Sequence, residues 1–355
     1  VVTALKTSIN ILLVFLFAAC TSVPDERMTP YVDFPETREL TARTLSLDSA
    51  LFRYPYRVRV QDDKAVVLDL HGTEYFFHAF HYPGFHYLSS FGKRGDAPEE
   101  MLSAENLRWN GNFLWTLDSN KSELTRLGFA SSGDSLLRLE AVSLDEELLR
   151  ALDFVQYDDS TFIIPDYSGD SRFCLVSRQG KLLHKIGTIP TTDEDALKNA
   201  HPALAQAWRS FIDYNPRNGV LAAVTQLGEV LEIYNLKDST HIVRIGPNGE
   251  PEFQISQGYG IPTGIMGFSD IQVTDSAIYV VFQGRAFKDI MQKAQQGINL
   301  PDGGQNIYVF SLEGKPLRKY VLDHYIHGIS VDEQKGIIIA TDVNKDEPII
   351  EYKLL

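Results

Sequence analysis

The sequence predicts an all-β chain folded as a six-bladed β-propeller, closed by pairing an N-terminal strand with the last blade. First, the stretch 210–246, SFIDYNPRNGVLAAVTQLGEVLEIYNLKDSTHIVRIG, divides into four short strand-like runs joined by turns. Second, five further stretches divide the same way, the last with only three runs. Third, three of the fourth runs end alike, at Phe91-Gly92, Ile186-Gly187 and Ile245-Gly246, where an apolar terminus meets a residue free to take positive φ. Sheets of four short strands cannot bury their faces alone, but they can against neighbours in a ring. No WD dipeptide recurs, and the alternative architecture is a β-sandwich with insertions.

The elements follow in order. Residues 1–19 carry one charge, Lys6, then an apolar stretch at 9–17 and Ala18-Ala19 directly before Cys20. The apolar stretch is too short to span a bilayer as a helix, and small residues before a cut site suit a signal peptidase. The ending Phe17-Ala18-Ala19-Cys20 resembles a bacterial lipobox, which implies a lipoprotein signal peptide at 1–19 and acylation of Cys20, the membrane anchor; the alternatives are a plain cleaved signal and a short buried helix. Thr21 after the cysteine implies, by resemblance to lipoproteins of two-membrane bacteria, export to the cell envelope with sorting to the outer membrane. Residues 20–39 are polar, carry three prolines and read as an extended tether, and 40–355 as the propeller.

In the first blade the expected strands are 56–60, 65–70, 75–81 and 85–91; in the second, 106–109, 113–117, 123–129 and 136–142, with Asn110-Gly111 the strongest hairpin signal. The third has 152–157, 161–164, 173–177 and 182–186, and the fourth is the 210–246 unit. The fifth has 270–273, 278–282, 306–310 and 317–321. The sixth has 328–331, 337–341 and 349–354, whose bare edge is left for residues 41–47.

Turns between first and second strands and between third and fourth fall on one face of a propeller, and the remaining connections fall on the other. Here the first class is short and the second holds the long segments 92–105, 187–209, 246–269 and 283–305. Within these, 193–208 and 285–296 have apolar residues at helical spacing. Loops on a rigid scaffold are where binding usually sits.

The stretch GKRGDAPEEM at 92–101 is similar to a G-x-x-G-x-G-P-x-E-F loop after the first blade of TolB-like six-bladed propeller lipoproteins of bacteria, with Ala97 and Met101 replacing Gly and Phe. GPNGEPEF at 246–253 echoes it, and VLEIYNL at 230–236 belongs to the same resemblance, which covers residues 40–355. It implies the fold and no established activity.

A formal charge of -14 works against nucleic acid as a partner, since a phosphate backbone needs clustered Lys and Arg. Two cysteines exclude a disulfide framework, and Cys174 on a strand reads as a buried thiol. Polar residues recur where second strands end on the long-loop face: Asp69, Asp118, Asp166, Gln226, Gln283 and Asp342. Near the starts of first strands stand Asn106, Asp153, Asp270 and His327. Such a ring at a channel mouth can bind a ligand or a hard cation such as Ca²⁺, which takes six to eight oxygens; the competing reading is that Asp and Asn are simply favoured at turns. His78 and His81 lie an odd number of positions apart on one strand and face opposite sides. There is no P-loop and no G-x-S-x-G elbow. The expected function is therefore a lipid-anchored, non-catalytic binding or scaffold propeller, engaging a small molecule, glycan or protein through its loop-rich face. The alternative is a metal-dependent hydrolase or lyase at the channel mouth.

Overall fold

A computed structural model describes residues 28–47 and 52–354 of the chain. The signal segment, Cys20 and the first part of the expected tether lie outside the described residues. Six sheets form, one per blade, along with a small separate hairpin. The first blade is built from Pro55–Gln61, Lys64–Asp69, Tyr75–His81 and His86–Lys93, and the second from Leu107–Asn110, Phe113–Asp118, Glu123–Phe129 and Leu136–Ser143. The third has Val155–Gln156, Thr161–Pro165, Phe173–Ser177 and Leu182–Ile186; the fourth has Ser210–Asn215, Val220–Thr225, Val230–Asn235 and Thr240–Ile245. The fifth has Phe268–Val273, Ala277–Phe282, Gly304–Ser311 and Pro316–Ile326. The sixth has Ile329–Asp332, Ile337–Thr341 and Ile349–Lys353, completed by Arg43–Thr44.

Burial explains this order within a blade. The second strands are the apolar runs: every residue of Val220–Thr225 and of Ala277–Phe282 is buried, while the fourth strand Thr240–Ile245 is mostly half-exposed. Each gap between neighbouring blades is filled by one apolar cluster. Between the third and fourth, for example, Val155, Ile163 and Phe173 meet Ile212, Leu221 and Ala223. Between the sixth and first, Ile339 and Ile349 meet Val58, Val67 and Phe80. Closure is as expected: Thr44 pairs with Ile350 and Arg43 with Glu351, antiparallel, and Leu45 N donates to Ile349 O at 2.9 Å.

The tether differs. Its described part is not free from Met28 onward: Met28–Pro30 adds a fifth, parallel strand to the fourth blade, and Thr37–Leu40 adds one to the fifth. Between them Tyr31 and Phe34 sink into the cluster joining those blades, with Tyr31 5.3 Å from Phe310 and Phe34 4.6 Å from Tyr308 between ring centroids. The Tyr31 hydroxyl donates to Glu229 Oε1 at 2.7 Å. The cause is an open strand edge on each blade that two aromatic side chains hold covered.

The long connections fall on the expected face. The helix expected over 193–208 is two helices, Glu194–Asn199 and His201–Ala207, because Pro202 cannot supply the N–H that would continue the first. The second helical segment is Phe287–Gln295. The connection after the fourth blade also holds an unforeseen hairpin, Phe253–Ser256 and Tyr259–Pro262.

Candidate functional site

Side chains alternate along a strand, so every second residue of the six innermost strands faces the axis. From the long-loop face inward these are Arg57 and Arg59, Asn106 and Arg108, Asp153 and Val155, Phe211 and Asp213, Asp270 and Gln272, and Gly328 and Ser330. A side chain at Gly328 would begin 2.7 Å from Arg57 Cα, so the channel is closed on that side by the first blade's backbone.

What fills the axis is an ion-pair network. Asp270 accepts from Arg57 Nη1, from Arg59 Nη1 and Nη2 at 2.9 and 2.8 Å, and from Ile329 N at 2.9 Å. Burial alone would raise its carboxyl, but Arg57 and Arg59 outweigh it and hold the group at about 2. Asp153 accepts from Asn106 Nδ2 at 2.7 Å, from Arg108 Nη2 at 3.1 and 3.2 Å, and from Ile212 N at 2.9 Å. Asp213 accepts from Arg108 Nη1 at 2.6 Å and Val273 N at 2.7 Å, although burial outweighs these partners and raises its carboxyl.

This arrangement corrects the expected cation ring. Asn106, Asp153 and Asp270 do converge, but three arginines already supply the positive charge. The carboxylates at the ends of second strands are spent on their own loops. Asp69 accepts from Arg53 N and Tyr54 N at 2.9 and 2.6 Å. Asp118 accepts from Leu102 N, Ser103 Oγ, Asn120 N and Lys121 N at 2.7–3.0 Å. Asp166 holds Ser168 N and Ser171 N at 3.0 and 3.1 Å, with Lys185 Nζ at 3.2 Å. Asp342 holds Asn344 N at 2.9 Å and lies 2.7 Å from His324 Nδ1. Turn chemistry explains all four. Among the described residues no three His, Cys, Asp or Glu side chains are grouped so as to hold a metal ion.

Cys174 is a buried free thiol; burial, then the charge of Asp166, pushes it up to about 12. His78 pairs with Ser90 Oγ at 2.8 Å.

The network leaves a mouth at each end. On the long-loop face a cavity of about 330 Å³ is lined from five blades, chiefly by Tyr54, His71, Glu105, Arg209, Gln226 and Asp302. At its edge the Tyr54 hydroxyl donates to Asp302 Oδ2, and His327 Nε2 lies 3.1 Å from that hydroxyl and 3.2 Å from Asp302 Oδ1. Burial, and then Asp302, raise the Tyr54 phenol; the bond from His327 and then that from Tyr54 lower Asp302, against burial. Gln283 Oε1, expected in the ring, is buried without a hydrogen bond. The Arg209 guanidinium makes no ion pair or hydrogen bond among the described residues. On the short-turn face a second cavity of about 310 Å³ is floored by Arg59, Arg108 and Asp213.

Of the expected site residues, then, only Gln226 lines the loop-face cavity and His327 borders it. Tyr54, His71, Glu105, Arg209 and Asp302 were missed. Tyr54 and Arg209 each directly precede an innermost strand by one residue, a position whose repetition could have pointed to them.

A family model described as TolB-like 6-blade propeller-like matches residues 33–334. No curated protein sequence matches the chain. Among solved structures, a protein from Bacteroides fragilis described as exported superposes with a TM-score of 0.56 at 10% identity, over 91% of this chain and 99% of that one. An auxiliary nutrient binding protein from Bacteroides ovatus gives 0.55 at 10% identity, over 89% and 76%. A DUF4221 family member from Bacteroides vulgatus gives 0.54 at 10% identity, over 89% and 96%. At these identities the likeness is one of fold.

Proposed function

We propose that this chain, which belongs to the TolB-like six-bladed propeller family, is an exported, non-catalytic binding protein of the cell envelope, held to the outer membrane by an acyl chain on Cys20 and engaging its ligand through the long-loop face. The observation that carries the binding role is the loop-face cavity, which presents an unpaired, half-buried guanidinium, Arg209, beside the Gln226 amide. A polar group kept at a mouth without a protein partner is available to a ligand. The Tyr54, Asp302 and His327 cluster supports binding over acid–base catalysis, because burial and Asp302 hold the phenol protonated and committed as a donor. Export and binding also agree with the descriptions of the structural neighbours from Bacteroides fragilis and Bacteroides ovatus.

The geometry of residues 28–40, a strap along the outer edges of the fourth and fifth blades, fits an anchor. From Cys20 to Met28 the chain reaches at most about 26–29 Å. Met28–Pro30 is the outermost strand of the fourth blade, so the described part of the chain begins at the rim.

A protein partner is favoured over a small molecule by one feature. The hairpin on the same face leaves Tyr259 and Ile261, which alternate onto one side of their strand, 62% and 47% exposed, an apolar pair open to a partner.

The test uses the full chain expressed in a two-membrane bacterium. Wild type is expected in the outer-membrane fraction and Cys20→Ser in the soluble one. The purified protein is then screened by thermal shift against amino acids, oligosaccharides and short peptides. At least one is expected to raise the midpoint of wild type and to lose its effect on Arg209→Glu; equal responses from both proteins would refute the assigned mouth.

A further inference from the structure

We infer that the cavity on the short-turn face is a second binding site, separate from the loop-face mouth, and that it takes a neutral sugar ring. Its volume of about 310 Å³ lies at the lower end of the range for small-molecule sites, and its walls come chiefly from the first four blades, with Gln272 of the fifth and Ser330 of the sixth. Three half-buried aromatic rings line it. Trp109 is stacked on Phe129 at 6.3 Å and 14°, while Tyr157 and Tyr214 sit 5.5 Å apart at 52°. Flat, partly exposed rings with polar neighbours are the surfaces on which the C–H faces of a pyranose settle.

The polar lining is what a set of vicinal hydroxyls requires. Gln156 donates its Nε2 to Asp158 O at 3.0 Å, which fixes the amide and leaves Oε1 buried with no hydrogen bond. Arg108 Nε in the floor is likewise buried and unpartnered. One is an acceptor and the other a donor, and a hydroxyl can serve either. The side chains of Gln61 and Asn110 also line the cavity and have no hydrogen bond among the described residues. Two buried unmet polar atoms, one acceptor and one donor, in a small cup point to a polar occupant.

Charge excludes the anionic classes. The guanidinium groups of Arg59 and Arg108 are neutralised by Asp270, Asp153 and Asp213, and the rim adds Asp158 and Asp159. A phosphate or carboxylate would meet excess negative charge there. The two mouths do not communicate, because Arg57, which is 0% exposed, and its partner Asp270 stand between them. The inference is therefore independent of the function proposed for the other face.

Intrinsic fluorescence tests it on the full chain. Of the three tryptophans, Trp109 and Trp115 line the cup and Trp208 is buried under the helices of the other face. Glucose, galactose, mannose and N-acetylglucosamine are titrated to about 50 mM, well above the millimolar constants of weak single-ring binding. At least one sugar is expected to give a saturable change. Gln61→Leu and Asp159→Ala, both at accessible positions, are expected to weaken it at least tenfold, while Arg209→Glu at the opposite mouth leaves it unchanged. The inference is overturned if no sugar gives a saturable change, if the change survives both cup variants, or if Arg209→Glu abolishes it. A response to tetramethylammonium and to none of the sugars would also overturn it, since the cup would then be a cation site.

Discussion

Replacing Asp270 by alanine tests whether the axis is a closed ion-pair network. Among the described residues the carboxylate is the only hydrogen-bonded partner of the Arg57 guanidinium and one of three acceptors for Arg59, beside Val58 O and Ile329 O; it also holds Ile329 N of the next blade. Its carboxyl is held at about 2 against an ordinary 3.8, which by linkage is on the order of 2 kcal/mol in favour of the charged form. Removing it also leaves a guanidinium buried without compensation, for which about 3–5 kcal/mol is typical. Asp270→Ala is therefore expected to lose about 3–5 kcal/mol in urea unfolding at neutral pH. The triple variant Arg57→Met, Arg59→Met, Asp270→Leu should lie within about 2 kcal/mol of wild type, because the charges leave together. The sign of the pH effect follows from the depressed carboxyl: its contribution is complete above the unfolded value and is lost as pH falls through the folded one. Wild type should thus lose stability between about pH 4 and pH 2, with a smaller loss in Asp270→Asn. A cost below about 1 kcal/mol for Asp270→Ala would refute the reasoning, since the arginines would then be finding water in an open pore.

Two further predictions concern the strap and the thiol. Tyr31→Phe, which leaves Glu229 without its buried donor, is expected to lose about 1–2 kcal/mol, and Phe34→Ala about 3 kcal/mol, both in urea unfolding. The Tyr31→Ala, Phe34→Ala double variant should expose Arg38 and Arg43 to trypsin, and continued protection would show that the aromatic side chains do not hold the segment. In a Cys20→Ser background, Cys174 should resist an aromatic disulfide reagent in the native protein and react fully in denaturant, because burial and its raised pKa keep it a protonated thiol; rapid native reaction would contradict this placement.

The blades were legible because their middle strands are apolar runs bounded by turn residues, as in Val220–Thr225 before Gln226-Leu227-Gly228, and because hairpin turns carry residues suited to positive φ, as at Gly111, whose φ is 54°. The strap was not, because Pro24, Pro30 and Pro35 and the polar residues among them outweigh two aromatics in any local reading, and strand addition to an edge is decided by tertiary partners. The hairpin at Phe253–Ser256 was hidden by its own exposure: with Ile255 facing solvent, it shows no buried stripe. The site was harder. Asp118 and Asp153 look alike in sequence, yet one closes its own loop and the other faces the axis. The distinguishing signal is the arginines of the first two blades, Arg57 and Arg59 at strand spacing and Arg108, across from the aspartates of the third, fourth and fifth. Their opposition exists only once the ring is closed.

The same network also explains how six similar interfaces keep one register. Clusters of Val, Ile, Leu and Phe tolerate sliding, because any apolar side chain of suitable size fills the gap. A carboxylate that must meet a particular N–H does not. Asp153 accepts from Ile212 N, Asp213 from Val273 N and Asp270 from Ile329 N, at separations of 59, 60 and 59 residues, and each bond runs from one innermost strand to that of the following blade. Gln272 repeats the device with Val331 N across 59 residues, and Val60 N closes the circle onto Ser330 Oγ. A shift of one residue would turn each acceptor to the opposite side of its sheet and strand the arginines with it. The charges that fix blade order are thus the ones that block the axis, which is why the molecule offers two separate mouths instead of one continuous pore.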